Sequence, residues 1–252
     1  MRIGVALSLV LLLSACGSSN AKPETPLHVS TFELKSTLLG KQLDQVLVTP
    51  QGGGKGRPLI VFLHGYGGTP ADTLSPALVA ALRRLGDRAP AVVLPDGQVG
   101  WWHDRDEGRW GSYVLDEVIP TALARTGADA HRVAVGGISM GGFGALNLGR
   151  HRDRFCAIGG HSPALWFSGA DSAPGAFDDA EDYARHDIFN HPPHYSAPVW
   201  IDVGTDDPFR NAAVHYAHEI HAQLHVWPGG HDSDYWRSHM GQYLAFYARH
   251  CS

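Results

Sequence analysis

Apolar and polar residues alternate over residues 29–49 with a break at Gly40, the pattern of two antiparallel strands that turn one face to a core. After the flexible Gly52-Gly53-Gly54 turn, Pro58 opens Leu59-Ile60-Val61-Phe62-Leu63. A short, unbroken apolar run of this kind predicts a parallel strand covered on both sides. Leu74, Leu78, Ala81, Leu82 and Leu85 then recur at helical spacing, and the run over 91–94, closed by Pro95-Asp96-Gly97, predicts the next buried strand. The two periods keep alternating. Helices are predicted over 112–125 (with Ser112 as cap), 141–150, 212–222 and 235–249, and strands over 132–136, 155–158, 198–203 and 224–227. Only 165–196 interrupts the rhythm. It is polar, irregular and rich in Asp, Pro and Gly, and predicts a cap or rim excursion.

Strands that alternate with helices predict an α/β chain: a mainly parallel sheet joined by right-handed crossovers, with helices on both faces. No internal repeat is visible, and 28–252 reads as a single domain. Active sites on such sheets form from the loops at the carboxyl ends of the strands. The first residues differ from the rest. Arg2, the apolar stretch from Val5 to Leu13, and Leu13-Ser14-Ala15-Cys16 describe a secretory signal over 1–15, too short to span a bilayer comfortably. The Cys in that place resembles a bacterial lipobox, which implies cleavage before Cys16, lipidation of its thiol, and anchoring at a bacterial membrane after export. Residues 16–27 then read as a tether.

Composition adds mainly exclusions. The 252 residues are 44% hydrophobic and 18% charged, with a net charge of −5 and no Lys/Arg run, so neither nucleic acid nor an anionic membrane surface is an expected partner. Of three cysteines, Cys156 and Cys251 remain for the folded part; export permits a disulfide, and spacing alone does not decide it. The sixteen histidines show no short-spaced cluster beside a third ligand, so no metal and no cofactor is expected.

The chemistry concentrates at strand ends. Gly137-Ile138-Ser139-Met140-Gly141 matches G-x-S-x-G between a predicted strand and a predicted helix. A chain that reverses so sharply strains the serine backbone, exposes its hydroxyl, and needs flanking glycines. Ser139 is therefore the candidate nucleophile. A serine needs a base held by an acid, and this order of elements places both after later strands. His231 lies in Pro228-Gly229-Gly230-His231 after the last strand, whereas His225 and His239 read as structural. Asp207, three residues beyond Gly204, is favoured as the acid over its neighbour Asp206, with Asp202 a third alternative inside the strand. The backbone N–H groups of Met140 and Tyr66 are the candidate oxyanion donors. Trp101, Trp102 and Trp110 in a strand-to-helix loop, and His161 after a strand, are the candidate substrate contacts.

His64-Gly65-Tyr66-Gly67-Gly68, Trp110-Gly111-Ser112-Tyr113, the Ser139 motif and Gly229-Gly230-His231-Asp232 with Tyr235-Trp236-Arg237 together resemble the putative esterase family of α/β-hydrolases. That family includes esterase D, feruloyl and acetyl-xylan esterases and mycobacterial mycolyltransferases. The resemblance covers roughly Leu59 to the end. It implies the α/β-hydrolase fold and a cofactor-free serine esterase that acts through an acyl-enzyme on a small or carbohydrate-linked ester. Two rivals stand beside this: acyl transfer to a sugar or lipid hydroxyl, and a non-catalytic surface lipoprotein that binds ligands. Neither the substrate nor the oligomeric state follows from the sequence.

Overall fold

The computed structural model describes residues 24–150, 154–190 and 192–252; the signal and Cys16 lie outside them. Two long strands, β1 (Leu27–Ser36) and β2 (Lys41–Pro50), form the expected antiparallel pair around the Gly40 turn. Then follow β3 (Leu59–Leu63), α1 (Pro70–Thr73), α2 (Pro76–Leu85), β4 (Ala91–Pro95) and a small hairpin of β5 (Asp104–Arg105) and β6 (Gly108–Arg109). A continuous helical run comes next: α3 (Trp110–Ser112), a π-helical turn Tyr113–Val118, and α4 (Ile119–Thr126). The chain continues as β7 (Val133–Ile138), α5 (Met140–Leu148), β8 (Ala157–His161), α6 (Ala180–His186), β9 (Val199–Gly204), α7 (Arg210–Glu219), β10 (Gln223–Trp227) and α8 (Ser233–His250).

Eight strands form one sheet in the order β1-β2-β4-β3-β7-β8-β9-β10, parallel from β4 to β10. The period-2 geometry of a strand divides its side chains between two cores. Leu59, Val61 and Leu63 of β3 pack with α4, α5 and α7, whereas Ile60 and Phe62 face α2 and α8. With its helices on both faces, this is the α/β-hydrolase fold.

Three departures from the predicted elements have local causes. The helix expected over 73–85 is split because Ser75 caps α2 through Leu78 N–H and Pro76 occupies its first turn. The helix expected to start at 112 begins at Trp110 and widens into the π turn just before Pro120, whose ring cannot accept regular α packing against the preceding turn. Within 165–196, α6 was not expected. It spans seven residues and depends on Asp179, whose side chain accepts from Asp182 N–H, rather than on apolar periodicity. Cys156, just before β8, and Cys251, just after α8, form a disulfide across 95 residues.

Candidate active site

Ser139 sits between β7 and α5 with φ 54° and ψ −116°, a conformation that L residues rarely adopt. The flanking glycines are required by close approach. A Cβ on Gly137 would lie 2.5 Å from the carbonyl carbon of Gly141 and 2.7 Å from Leu63 O, and one on Gly141 would run into Leu63 O. The strained turn is held from below: Ser139 N–H donates to His161 O at 3.0 Å, and Ser139 O accepts from Ala164 N–H at 3.0 Å.

Three side chains from separate strand ends meet here. The Ser139 hydroxyl lies 2.8 Å from His231 Nε2, and His231 Nδ1 lies 2.8 Å from Asp207 Oδ2. A carboxylate beside Nδ1 fixes the tautomer with its proton there, so Nε2 accepts from the hydroxyl. Asp207 is buried, and its other oxygen accepts from Phe209 N–H at 2.8 Å. The neighbouring Asp206 is exposed and turns toward Thr205 Oγ1. Asp202 is fully buried and faces His161 instead. Trp236 and Phe209 pack edge-on against the His231 ring and restrict its rotation.

The loop after β3 passes directly over the serine. A Cβ added to Gly65 would lie 3.4 Å from Ser139 Cβ, which places the start of the Gly65-Tyr66 segment beside that serine. Met140, the first residue of α5, has an N–H with no intrahelical partner. The loop is anchored by His64. Its Nδ1–H donates to Gly65 O at 2.8 Å and its Nε2 accepts from Gly97 N–H at 3.0 Å. Burial lowers the pKa of His64 despite the nearby carboxylates of Asp96 and Asp72, which suits an imidazole that must stay neutral to accept that bond.

A cleft of about 400 Å³ opens at Ser139 and His231, lined also by His64, Tyr66, Thr73, Ile138 and Trp236. The four expected substrate contacts do not line it, a correction with one physical reason. Trp102, Trp110 and His161 are buried, and Trp101 is 3% exposed and packed on Phe143 and Trp166. Trp102 fills space left by Gly97 and Gly144, and its indole N–H donates to His64 O at 3.2 Å, so it braces the loop from behind. Trp110 lies against Gly100 and Gly108.

His161 belongs to a buried polar cluster below the serine. Its Nδ1 is 2.6 Å from Asp202 Oδ2 and its Nε2 is 2.7 Å from Tyr247 Oη. Asp202 also accepts from Trp200 Nε1 (2.8 Å), Tyr243 Oη (2.8 Å) and Tyr235 Oη (3.1 Å). Burial, then the Asp202 charge, raises all three tyrosine pKa values well above normal. Trp236, which borders the cleft together with Tyr66, falls within the helical pattern at the start of α8, where nothing in the periodicity separates a cleft residue from a core one.

Comparison with known proteins places these residues in context. The family profile described as "Putative esterase" matches residues 36–247. An acetyl esterase of Caldicellulosiruptor saccharolyticus is 32% identical over 111 residues, which are 42% of this chain and 41% of that protein, so the match spans less than half of its length. A ferulic acid esterase structure superposes with a TM-score of 0.72 at 23% identity, over 90% of this chain and 98% of that one. An S-formylglutathione hydrolase from Agrobacterium tumefaciens superposes with a TM-score of 0.76 at 20% identity, over 89% and 95%. These superpositions support the fold. Among the described residues, no helix is long and apolar enough to cross a membrane.

Proposed function

Since the chain belongs to the Putative esterase family, we propose that it is a serine carboxylic-ester hydrolase acting on a small or carbohydrate-linked ester. The observation that carries this reading is the unbroken chain of contacts from Asp207 through His231 to Ser139, 2.8 Å at each link. Ser139 Oγ attacks the ester carbonyl while His231 Nε2 takes its proton. Asp207 holds the imidazole in position and stabilises the imidazolium as it forms. Charge on the carbonyl oxygen is met by the N–H groups of Met140 and Tyr66, each of which contributes about 3–4 kcal/mol at the transition state. His231 returns the proton to the departing alcohol. Water, deprotonated by the same imidazole, then releases the acid and frees the serine.

An open cleft beside Tyr66 and Trp236 suits a compact acyl group on a sugar or aryl alcohol, since both rings offer flat apolar surfaces. In the same reading 28–252 is the hydrolase unit, with 165–196 at its rim, and Cys16 is the lipidated residue that tethers it outside the cytoplasm at a bacterial membrane. Ser139→Ala tests the proposal. Turnover of a short p-nitrophenyl ester falls by orders of magnitude while thermal unfolding stays that of the parent; undiminished turnover rejects the assignment.

A further inference from the structure

A second cluster of ligating side chains lies outside the catalytic cleft. His103 follows Trp101-Trp102 in the loop after β4, and Asp182 and His186 stand one turn apart on the same face of α6. One donor atom from each of the three lies within 4.8 Å of the others. His103 Nε2 is 3.3 Å from Asp182 Oδ2, and His186 Nδ1 is 3.0 Å from Asp182 Oδ1. His103 is 1% exposed and Asp182 is 0% exposed.

The geometry around His103 poses a definite problem. Its Nδ1 faces Trp101 O at 3.2 Å, a contact that needs the ring proton on that nitrogen. The other nitrogen, Nε2, then turns a lone pair toward a buried carboxylate oxygen. Either a second ring proton or a metal ion on Nε2 must join these two groups, so the position is one that an ion can occupy. His186 repeats the arrangement, with Nδ1 2.9 Å from the backbone carbonyl of Asp182. An imidazole whose Nδ1–H is taken by a main-chain carbonyl is the usual arrangement of a metal-bound histidine, since that bond fixes the tautomer and aims Nε2 at the ion.

We propose that His103, Asp182 and His186 bind a divalent transition-metal ion, with Zn²⁺ the best match. Two imidazoles and a carboxylate are a borderline-soft donor set suited to Zn²⁺. Zn²⁺ bonds of about 2.0–2.2 Å put tetrahedral donor atoms roughly 3.3–3.5 Å apart, which matches the 3.3 Å between His103 Nε2 and Asp182 Oδ2. Asp178 N–H, at 2.9 Å from Oδ2, orients the carboxylate from outside. The nearest competing cation is Arg185, 3.3 Å from Asp182 Oδ1, whose half-exposed side chain can move into solvent when an ion neutralises the carboxylate. A hollow of about 310 Å³, bordered by His103, His186, Asp104, Asn147, Arg150 and Arg185, opens beside the cluster and leaves room for a water or anion as fourth ligand. The ion fastens α6 to the loop whose Trp102 braces His64, which makes it a structural clamp behind the catalytic wall.

The test is direct binding of Co²⁺, the spectroscopic stand-in for Zn²⁺, to purified metal-free protein, followed by visible absorption and by titration calorimetry. One equivalent binds with a tetrahedral Co²⁺ spectrum, Zn²⁺ displaces it, and the thermal midpoint rises. His186→Gln, whose folding is checked by its thermal midpoint without metal, weakens binding by at least the roughly 10–100-fold that loss of an outer partner alone costs. Asp182→Asn behaves alike, while His231→Gln, which removes the catalytic imidazole, binds as the parent does. No stoichiometric Co²⁺ binding by the parent overturns the site. So does binding that survives in His186→Gln, or binding that is lost only with His231. Because the readout is binding rather than turnover, a failure here is separate from a failure of the esterase reading.

Discussion

The buried cluster under Ser139 turns the structure into a number when Tyr247 is replaced by Phe. The substitution removes one oxygen and leaves the ring, so no large cavity forms; the hydroxyl lies in the space that a Cβ on Gly136 or Gly159 would need. What it does remove is the partner of His161 Nε2, 2.7 Å away in a side chain with no exposure. Whichever ring nitrogen carries the proton, one buried polar atom loses its bond. The penalty for an unsatisfied buried group is about 1–3 kcal/mol. For a chain of this size, 1 kcal/mol moves the midpoint by about 2–4 °C, so Tyr247→Phe lowers Tm by about 2–12 °C. Turnover by the folded fraction stays within about tenfold, because a larger loss needs more than 1.4 kcal/mol at the transition state. Ser139 is held there by the main chain of His161 rather than by its ring, through the 3.0 Å bond from Ser139 N–H. Scanning calorimetry and steady-state kinetics on the same sample measure both. A midpoint unchanged to within about 1 °C refutes the reasoning that this hydroxyl satisfies a buried group.

Asp207→Asn lowers kcat about 10⁴-fold through loss of the imidazole's orientation, whereas Asp206→Asn at the exposed neighbour changes it by no more than about threefold; kinetics on a p-nitrophenyl ester separates the two carboxylates. Closure of a 95-residue loop by Cys156–Cys251 stabilises by about 4–5 kcal/mol in the chain-entropy account. The paired Cys→Ser variant therefore unfolds about 8–20 °C lower, and equal midpoints contradict that. Stability also carries an acid limb. Burial holds His64 below its usual pKa, so the unfolded chain binds its proton first as pH falls. Stability is full above the unfolded pKa of about 6.5 and declines as pH drops through it toward the lower folded value. Urea unfolding between pH 8 and 5 shows this decline, and a flat profile over that range speaks against it.

The residues legible in the sequence are those whose role is written into their immediate neighbours. Gly137 and Gly141 flank Ser139 because the main chain of Leu63 passes too close for any side chain, and that requirement is local enough to form a motif. His231 and Asp207 were readable because a strand precedes each and a short loop fixes where the side chain emerges. The four misplaced contacts failed for the opposite reason. A tryptophan in a loop has the same neighbours in sequence whether it faces a cleft or fills a core. The decision lies with distant glycines, Gly144 and Gly97 for Trp102, and these carry no signal of pairing. His161 looked like a residue at a strand's mouth, but its direction is set by Asp202 and Tyr247, 41 and 86 positions away. The His103 cluster escaped in the same way. Asp182 and His186 are neighbours on a helix with no apolar stripe, and the third ligand stands 79 residues earlier.

The central claim is that the alcohol at Ser139 is activated by His231 and carries the acyl group. Labelling with an alkyl fluorophosphonate, followed by peptide mass analysis, addresses it without knowledge of the natural substrate. One phosphonyl group on the peptide containing Ser139, absent from Ser139→Ala and strongly slowed in His231→Gln, is the predicted result. A parent protein that stays unlabelled, or that carries the label on another residue, contradicts it.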